Sequence, residues 1–526
     1  MPPRTSTGNA ADFTFVPVEL EDGSKPRRTK QARSHTARVI SRRLRHQDIR
    51  AHNAASQARP GQPGTENVAA LPAETLATLS ASSRDAGCPV ISLAGKTPSP
   101  RPISPVFGGM SIDAFHAGTC TSATEAANYC LNIDWPNLLT KGEASAWFEM
   151  FCKHPVIMHG FCYASATHQD ILRNQVSRSS QRDMLAHKTE TFRLMGKLVA
   201  DAKDEDIEII IFAVMIMWHY DLQDHEIRDA GSLPFRQHMP SANWLHVYGR
   251  TQGVATHTRP LMVLLARVGG VQSLKLPGLA FAISCGDLIA ASIAFRSPEL
   301  PQYWSAALSV EDLCLKLQIP TPPCPGHGFV RTAVTLWPEE TFDVLADLAG
   351  IDRVLAEVRT RSLTAAQKEG LIDTRNAIQY RLLSLASLSS FCHGPPCSAQ
   401  VAYECGRVAA TLYSNAVIFP LPLNTGWHRN LLKQLHVLLS DHDWFAYLAN
   451  SPDFLIWCLV VGGIASLGST QREWFVETFR SIVKKICIKE WAEVEDMLKS
   501  FLWSEEACGP GGLVLWEETT GRVTGH

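Results

Sequence analysis

The sequence lacks an apolar run long enough to cross a membrane. Ten consecutive apolar residues stand at Ile209–Trp218, between the acids Glu208 and Asp221, whereas a transmembrane helix needs about 20. Two further uncharged stretches, Val408–Trp427 and Phe454–Gln471, are interrupted by prolines or by paired glycines. We therefore expect buried helices at all three places, and no membrane partner.

Signals for secretion and for disulfide pairing are also missing. The first 25 residues contain no apolar region of the kind that marks a secretory signal. The fourteen cysteines are scattered, none forms a C-x-x-C pair, and several stand in apolar stretches where a thiol packs as a small hydrophobe. These features predict an intracellular, reducing setting without disulfides.

Sequence motifs of the common enzyme classes are absent. The chain has no P-loop, no G-x-G-x-x-G, no G-x-S-x-G and no H-E-x-x-H, and it offers no strand–turn–helix setting that would hold one of them. We therefore predict that the protein is not an enzyme and has no catalytic residues.

Two groups of residues resemble metal ligands weakly. Cys392-His-Gly-Pro-Pro-Cys397, with Cys405 beyond it, has a spacing that zinc tolerates, but no fourth ligand is evident and the proline pair is typical of an interhelical loop. Of His154, His159 and His168, only His154 and His168, 14 residues apart, approximately share a helical face. The sequence predicts no metal site and no cofactor.

Charge is distributed unevenly along the chain. The formal net charge is −2, yet residues 25–50 hold ten Lys or Arg residues against the single acid Asp48, a local charge of +9. The first 24 residues carry −3, so the remainder carries −8. A basic segment, residues 25–50, is thus joined to a mildly acidic body.

The second half of the basic segment has the periodicity of a short amphipathic helix, about residues 34–50, within a tail of residues 1–52. Arg38, Arg42 and Arg45 share one face, apolar residues occupy the other, and Ser34 suits the N-cap. The segment is interpreted as a nuclear-import signal, a phosphate-contacting arm for DNA or RNA, or a solvated tail. The candidate contact residues are Lys25, Arg27, Arg28, Lys30, Arg33, Arg38, Arg42, Arg43 and Arg45.

Residues 53–110 contain eight prolines and many Ser, Ala and Gly residues. Such a composition buries too little surface to offset ordering entropy, so it predicts a disordered linker. From residue 111 to 526 the pattern is helical almost throughout, without a repeat of fixed period, which predicts an all-α domain built as a multi-helix bundle or an irregular α-solenoid.

Hydrophobic periodicity predicts the individual helices of this domain. In one example, Ile378, Leu382, Leu385 and Leu388 mark a single apolar face, typical of a half-buried helix. The predicted helices are Thr121–Ile133, Glu143–Cys152, Val156–Gln175, Gln181–Ala200, Asp206–Tyr220, Trp244–Thr256, Leu279–Phe295, Glu339–Val358, Ala365–Leu388, Gln400–Ile418, Asn430–Ala446, Phe454–Leu467 and a broken Gln471–Phe501.

The order of short motifs along the chain resembles the fungal-specific transcription-factor-like domain, an all-helical regulatory region. The match covers about four fifths of the chain, and Ala114 stands where the family usually has proline. The motifs are Phe13-Thr-Phe-Val16, Arg33-Ser-His35, Ile112-Asp-Ala-Phe115, Ala146-Trp-Phe148, His154-Pro155, His246 to Gly249, Gly269-Gly270, Asp287, Glu404 to Tyr413, Trp457 to Gly463 and Arg472-Glu-Trp-Phe475.

The resemblance implies a transcriptional regulator in the nucleus whose partners are proteins of the transcription machinery, and it leaves a homodimer open. The binuclear zinc cluster of many relatives needs six closely spaced cysteines, and no cysteine precedes Cys88. DNA therefore remains a candidate partner through the basic segment alone. The alternative function is a helical protein–protein interaction module without direct DNA contact.

Overall fold

A computed structural model describes residues 121–175, 180–201, 203–220, 231–250, 255–323, 325–332, 337–392, 394, 396–440 and 451–521. The predicted basic helix, the linker at residues 53–110 and the first ten residues of the predicted domain lie outside the described residues. Within the described ranges the chain is helical and contains no strand, which confirms the all-α prediction. No helix of this part is both long and apolar enough to span a bilayer.

The described residues form 19 α-helices, numbered here in chain order. The first nine are α1 Thr121–Tyr129, α2 Lys141–Lys153, α3 Pro155–Arg173, α4 Ser180–Ala200, α5 Ile207–Tyr220, α6 Leu245–Tyr248, α7 Ala255–Val268, α8 Leu279–Ala294 and α9 Val310–Leu317. The others are α10 His327–Thr332, α11 Glu339–Val358, α12 Ala365–Ser384, α13 Leu388–Phe391, α14 Ser398–Tyr413, α15 Trp427–Ser440, α16 Pro452–Ala465, α17 Arg472–Lys485, α18 Trp491–Leu498 and α19 Glu505–Thr520.

Short π-helical and 3₁₀ segments extend or join these helices. Both π segments continue an α-helix, and both are buried in part or in full. They are Cys130–Asp134 after α1 and Ser414–Ile418 after α14; the 3₁₀ turns are Trp135–Asn137, Asp204–Asp206, Ala242–Trp244, Val271–Ser273 and Leu423–Thr425.

Two helices at the centre are buried on every side. In α5 every residue except Glu208 is buried, and in α16 every residue from Phe454 to Ala465 is buried. A helix that is apolar all round has no solvent-facing stripe and must be enclosed by other helices. This confirms the prediction of core helices at Ile209–Trp218 and Phe454–Ala465, whereas the stretch Val408–Trp427 is continuously helical only to Ile418.

The predicted helix Trp244–Thr256 is wrong. The chain instead makes a turn at Ala242–Trp244, forms the single turn of α6, and starts α7 at Ala255. The helix ends after Tyr248 in a turn, in which the Arg250 N–H donates to the Val247 carbonyl. At the start of the predicted helix, Asn243 and Trp244 adopt left-handed backbone conformations, with φ of 53° and 52°, which a right-handed helix does not allow. Periodicity could not reveal this break because the apolar residues on either side keep helical spacing.

Five helices have no counterpart in the sequence prediction beyond one or two residues of overlap: α7, α9, α10, α13 and α19. The last of these runs through Gly509-Pro-Gly-Gly512, which has the composition of a turn. A Cβ at Gly511 would lie 2.7 Å from Ile464, and one at Gly512 would lie 2.6 Å from Trp491. These glycines serve close helix packing, a purpose that composition alone does not distinguish from a turn.

The paired glycines of α16 explain how its neighbours approach it. A Cβ at Gly462 would lie 2.4 Å from the Phe475 ring, and one at Gly463 would lie 2.5 Å from Leu515. Both partners are fully buried, so neither has room to withdraw. The side-chain-free face of α16 therefore sets the positions of α17 and α19.

We expect Gly462→Ala to destabilise the fold by about 1–3 kcal/mol, because overpacking forces Phe475 off its position. The control is Gly196→Ala in α4, where a Cβ meets nothing within 4 Å and an exposed helical alanine stabilises by about 0.5–1 kcal/mol. Denaturant unfolding measures both variants. Equal stability of the two would contradict this packing account.

Candidate functional site

A largely apolar cavity lies among α2, α3, α5, α6, α8 and α12. The cavity volume is about 50 Å³. Ring and aliphatic side chains form most of its wall: Trp147, Phe161, Met215, Leu245, Phe281 and Ile289. We call it the Arg375 cavity, after the one arginine in its wall.

Local sequence signals place the aromatic part of this wall. Thr140 and Glu143 form a reciprocal N-cap for α2, in which each side chain accepts a hydrogen bond from the other residue's backbone N–H. Two turns further on, Trp147 is buried and donates from Nε1 to the carbonyl of Pro277 at 2.9 Å. The indole thereby gains a partner for its N–H and turns the rest of its surface to the cavity.

Arg375 on α12 places a full charge at the cavity wall. Its side chain is 1% exposed. Nη2 donates to the side-chain oxygens of Asn376 at 2.8 Å and Asn243 at 3.2 Å, Nε donates to Asn376 at 3.2 Å, and the guanidinium lies 5.1 Å from the centre of the Phe419 ring. Burial lowers the pKa of Arg375 to about 10, so the group is protonated at neutral pH.

The guanidinium of Arg375 has no carboxylate partner in the described part of the chain. Its hydrogen bonds go to neutral amide oxygens, and Nη1 has no acceptor there. A buried charge is costly unless an opposite charge or a full set of hydrogen bonds compensates it. Asp373 raises the pKa of Arg375 without contacting it, so the charge at the cavity wall is stabilised at a distance but makes no ion pair.

The backbone is left-handed at Asn243, whose side-chain oxygen accepts a hydrogen bond from Arg375. Asn243 is 4% exposed and left-handed, as is Trp244 beside it. Trp244 Nε1 donates to the carbonyl of Asp134 at 3.1 Å, which fixes the turn. Left-handed conformations cost roughly 1–2 kcal/mol for ordinary residues and less for asparagine. The turn thus directs the Asn243 oxygen at Arg375 at a cost in backbone energy.

The remaining polar groups of the wall engage one another. Tyr220 donates from its hydroxyl to Tyr248 at 2.9 Å, and Tyr248 donates to Asp134 Oδ1 at 3.1 Å. His168 Nδ1 lies 3.4 Å from the same carboxylate oxygen without hydrogen-bond geometry. Burial raises the pKa of Tyr248 well above its usual value, so this chain of hydroxyls stays protonated.

His219 completes this polar region. Burial lowers the pKa of His219 to about 4, and the imidazole is therefore neutral at physiological pH. Its ring lies against α8 at Gly286, where a Cβ would be 2.6 Å from His219 Cε1 and 2.4 Å from Trp218. A glycine is needed there because the two helices touch at this point.

The residues singled out from the sequence do not form this site. All nine candidate cationic residues, from Lys25 to Arg45, lie outside the described residues. Among the residues that the structure describes, no three His, Cys, Asp or Glu side chains are placed to hold a metal. Cys392 instead donates to the Gly394 carbonyl, while Cys405 is buried in α14.

Two motifs of the family resemblance are structural in this chain. Asp287 accepts hydrogen bonds from the backbone N–H groups of Glu299 and Leu300 at 2.7 and 2.8 Å, and so ties down the segment after α8. Gly269 and Gly270 have φ of 91° and 100°, a conformation that favours glycine. The glycines form the turn after α7, and neither motif lines the cavity.

Sequence reasoning missed Arg375 as a functional candidate. The periodicity of α12 predicted a half-buried helix, whereas every residue from Gly370 to Asn376 is buried. A run of Asp, Thr, Arg and Asn inside an otherwise apolar region was the available signal. Only the fold shows that this polar side of α12 also faces the interior.

Comparison of the chain with protein-family models, with curated proteins and with solved structures gives no match. The resemblance to the fungal-specific transcription-factor-like domain stays a prediction.

The depressed pKa of His219 predicts a pH dependence of stability. The unfolded histidine, with a pKa near 6.5, binds a proton before the folded one does, so the stability it contributes is complete above pH 6.5 and is lost as the pH falls towards 4. We expect protonation linked to His219 to lower the free energy of unfolding of the wild type by about 2 kcal/mol as the pH falls from 6.5 to 5.

Urea unfolding of the wild type and of His219→Gln at both pH values measures this contribution. Glutamine does not titrate, so the variant should lose less stability than the wild type on acidification. An identical loss in the two proteins would show that His219 is not buried in its neutral form.

Proposed function

We propose that this chain is a fungal transcriptional regulator whose helical body receives a small-molecule signal. The observation that carries the proposal is the Arg375 cavity, in which a buried guanidinium without an ion-pair partner stands in a largely apolar wall. Mostly apolar cavities with a few placed polar groups are typical of small-molecule sites. A site of this kind inside an all-helical body suits a domain that responds to a ligand.

The basic segment supplies the second half of the proposal. Its charge of +9 suits a nuclear-import address, and a cationic helix also binds phosphates by releasing counterions. We propose that the protein acts in the nucleus and that the segment provides import, nucleic-acid contact or both. Proteins of the transcription machinery are its proposed partners.

Ligand binding would influence the body through the helices that form the cavity wall. A ligand changes a conformational equilibrium only when it binds one state better than another. The wall is assembled from six helices and from the strained turn at Ala242–Trp244. Relief or reinforcement of that turn is a direct way for a ligand to bias the arrangement of α5, α8 and α12.

The alternative, a helical interaction module without DNA contact, makes no use of the basic segment. The two functions therefore differ in what neutralising this segment should do. Only the regulator requires its charge for nuclear location or for nucleic-acid binding.

We expect the triple variant Arg38→Ala, Arg42→Ala, Arg45→Ala to lose nuclear accumulation of a fluorescent fusion or to bind duplex DNA more weakly. If the segment contacts phosphates, removing three contacts should reduce the slope of log affinity against log salt by about 2.7. Gel shifts across a salt series and fluorescence microscopy measure these effects.

The matched control replaces the same three arginines with lysine, which keeps the charge and should preserve both properties. A wild-type fusion that stays outside the nucleus, together with DNA binding that is absent or indifferent to salt, would contradict the regulator and favour the interaction module.

A further inference from the structure

We propose that the Arg375 cavity binds a small monocarboxylate with an aromatic or branched apolar body, and that its carboxylate pairs with the Arg375 guanidinium. This inference rests on the proposed regulatory function, because the carboxylate would be the signal that the helical body receives. It goes further by naming the ligand's chemical class and the residue that recognises it.

The charge of the site calls for an anion. Arg375 is buried and protonated, and no carboxylate of the described residues lies within ion-pair distance of it. Asp373, two residues earlier in α12, accepts a hydrogen bond from the backbone N–H of Ala306 at 2.9 Å instead. Asp373 influences the guanidinium only from a distance, so an anion entering the cavity would add a direct ion pair and a charge-assisted hydrogen bond.

The free donors suit two carboxylate oxygens. Nη1 of Arg375 has no acceptor among the described residues, whereas Nε and Nη2 are occupied by amide oxygens. Because Asn376 accepts from Arg375 through its oxygen, its amide nitrogen is directed elsewhere and donates to the sulfur of Cys285 at 3.7 Å. Sulfur is a weak acceptor, so this N–H is available to a better one.

The rest of the wall selects the remainder of the ligand. Trp147, Phe161 and Phe281 supply ring surfaces, and aliphatic side chains fill the space between them. The wall also contains Asp134, whose carboxylate disfavours a second negative charge on the ligand. A cavity volume of about 50 Å³ limits the ligand to a compact molecule. Phosphates and dicarboxylates fit these features less well than a compact monocarboxylate does.

Benzoate is the probe, and benzamide and benzylamine are its matched neutral and cationic analogues. Isothermal titration calorimetry on the full chain should detect binding of benzoate. We expect benzamide to bind at least about tenfold more weakly than benzoate, and benzylamine not to bind. Benzoate should also raise the melting temperature of the protein, because a ligand that binds only the folded state stabilises it.

Two variants locate the binding. Arg375→Met keeps the length and apolar stem of the side chain while removing its charge, and it should lose the preference for benzoate over benzamide. Ala282→Phe fills the cavity without changing Arg375, and it should abolish binding of both. The second variant keeps the test decisive if the first does not fold, which circular dichroism establishes.

Three results would overturn the proposal: no benzoate binding to the wild type, equal binding of benzoate and benzamide, or undiminished benzoate binding by Ala282→Phe. These results are independent of the basic segment. Benzoate binding by a protein whose location and DNA affinity ignore the arginine-to-alanine changes would retain the carboxylate site and reject the regulator. The reverse outcome would retain the regulator and reject the carboxylate site.

Discussion

The guanidinium of Arg375, buried without an ion-pair partner among the described residues, is the constraint around which its neighbours are arranged. A single positive charge in an apolar interior has to be held by neutral dipoles and by a ring face, and here two asparagine oxygens and Phe419 do so. One of those asparagines occupies a left-handed turn. Backbone strain and a desolvated charge thus occur together at one place in the protein. Unfavourable conformations of this kind are concentrated at functional sites.

Close helix packing makes the cavity possible and keeps it small. Gly286 lets α8 touch α5 beside His219, and Gly462 and Gly463 let α17 and α19 close on α16. Helices packed this closely leave little internal space. The Arg375 cavity is therefore a local feature and does not reflect poor packing of the whole core. It is bordered by a neutral histidine, protonated tyrosines and a guanidinium whose outer nitrogen has no acceptor among the described residues.

Much of the fold follows from sequence periodicity, and the cavity does not. The helix Glu339–Val358 is predicted to its exact bounds, and Ile207–Tyr220 and Leu279–Ala294 to within one residue, because long apolar patterns determine helices strongly. The turn at Asn243 is invisible to periodicity because tertiary contacts enforce it. Arg375 is missed for a related reason: a polar residue on a helix is taken to face solvent unless the neighbours that bury it are known.

A crystal structure of the protein in complex with 4-bromobenzoate tests the central claim, that the Arg375 guanidinium binds the carboxylate of a ligand. The anomalous signal of bromine locates the ligand without ambiguity. We predict bromine within the Arg375 cavity and a carboxylate oxygen within about 3.2 Å of Arg375 Nη1. Bromine found elsewhere, or a carboxylate turned away from Arg375, would contradict the claim and leave the arginine a structural residue.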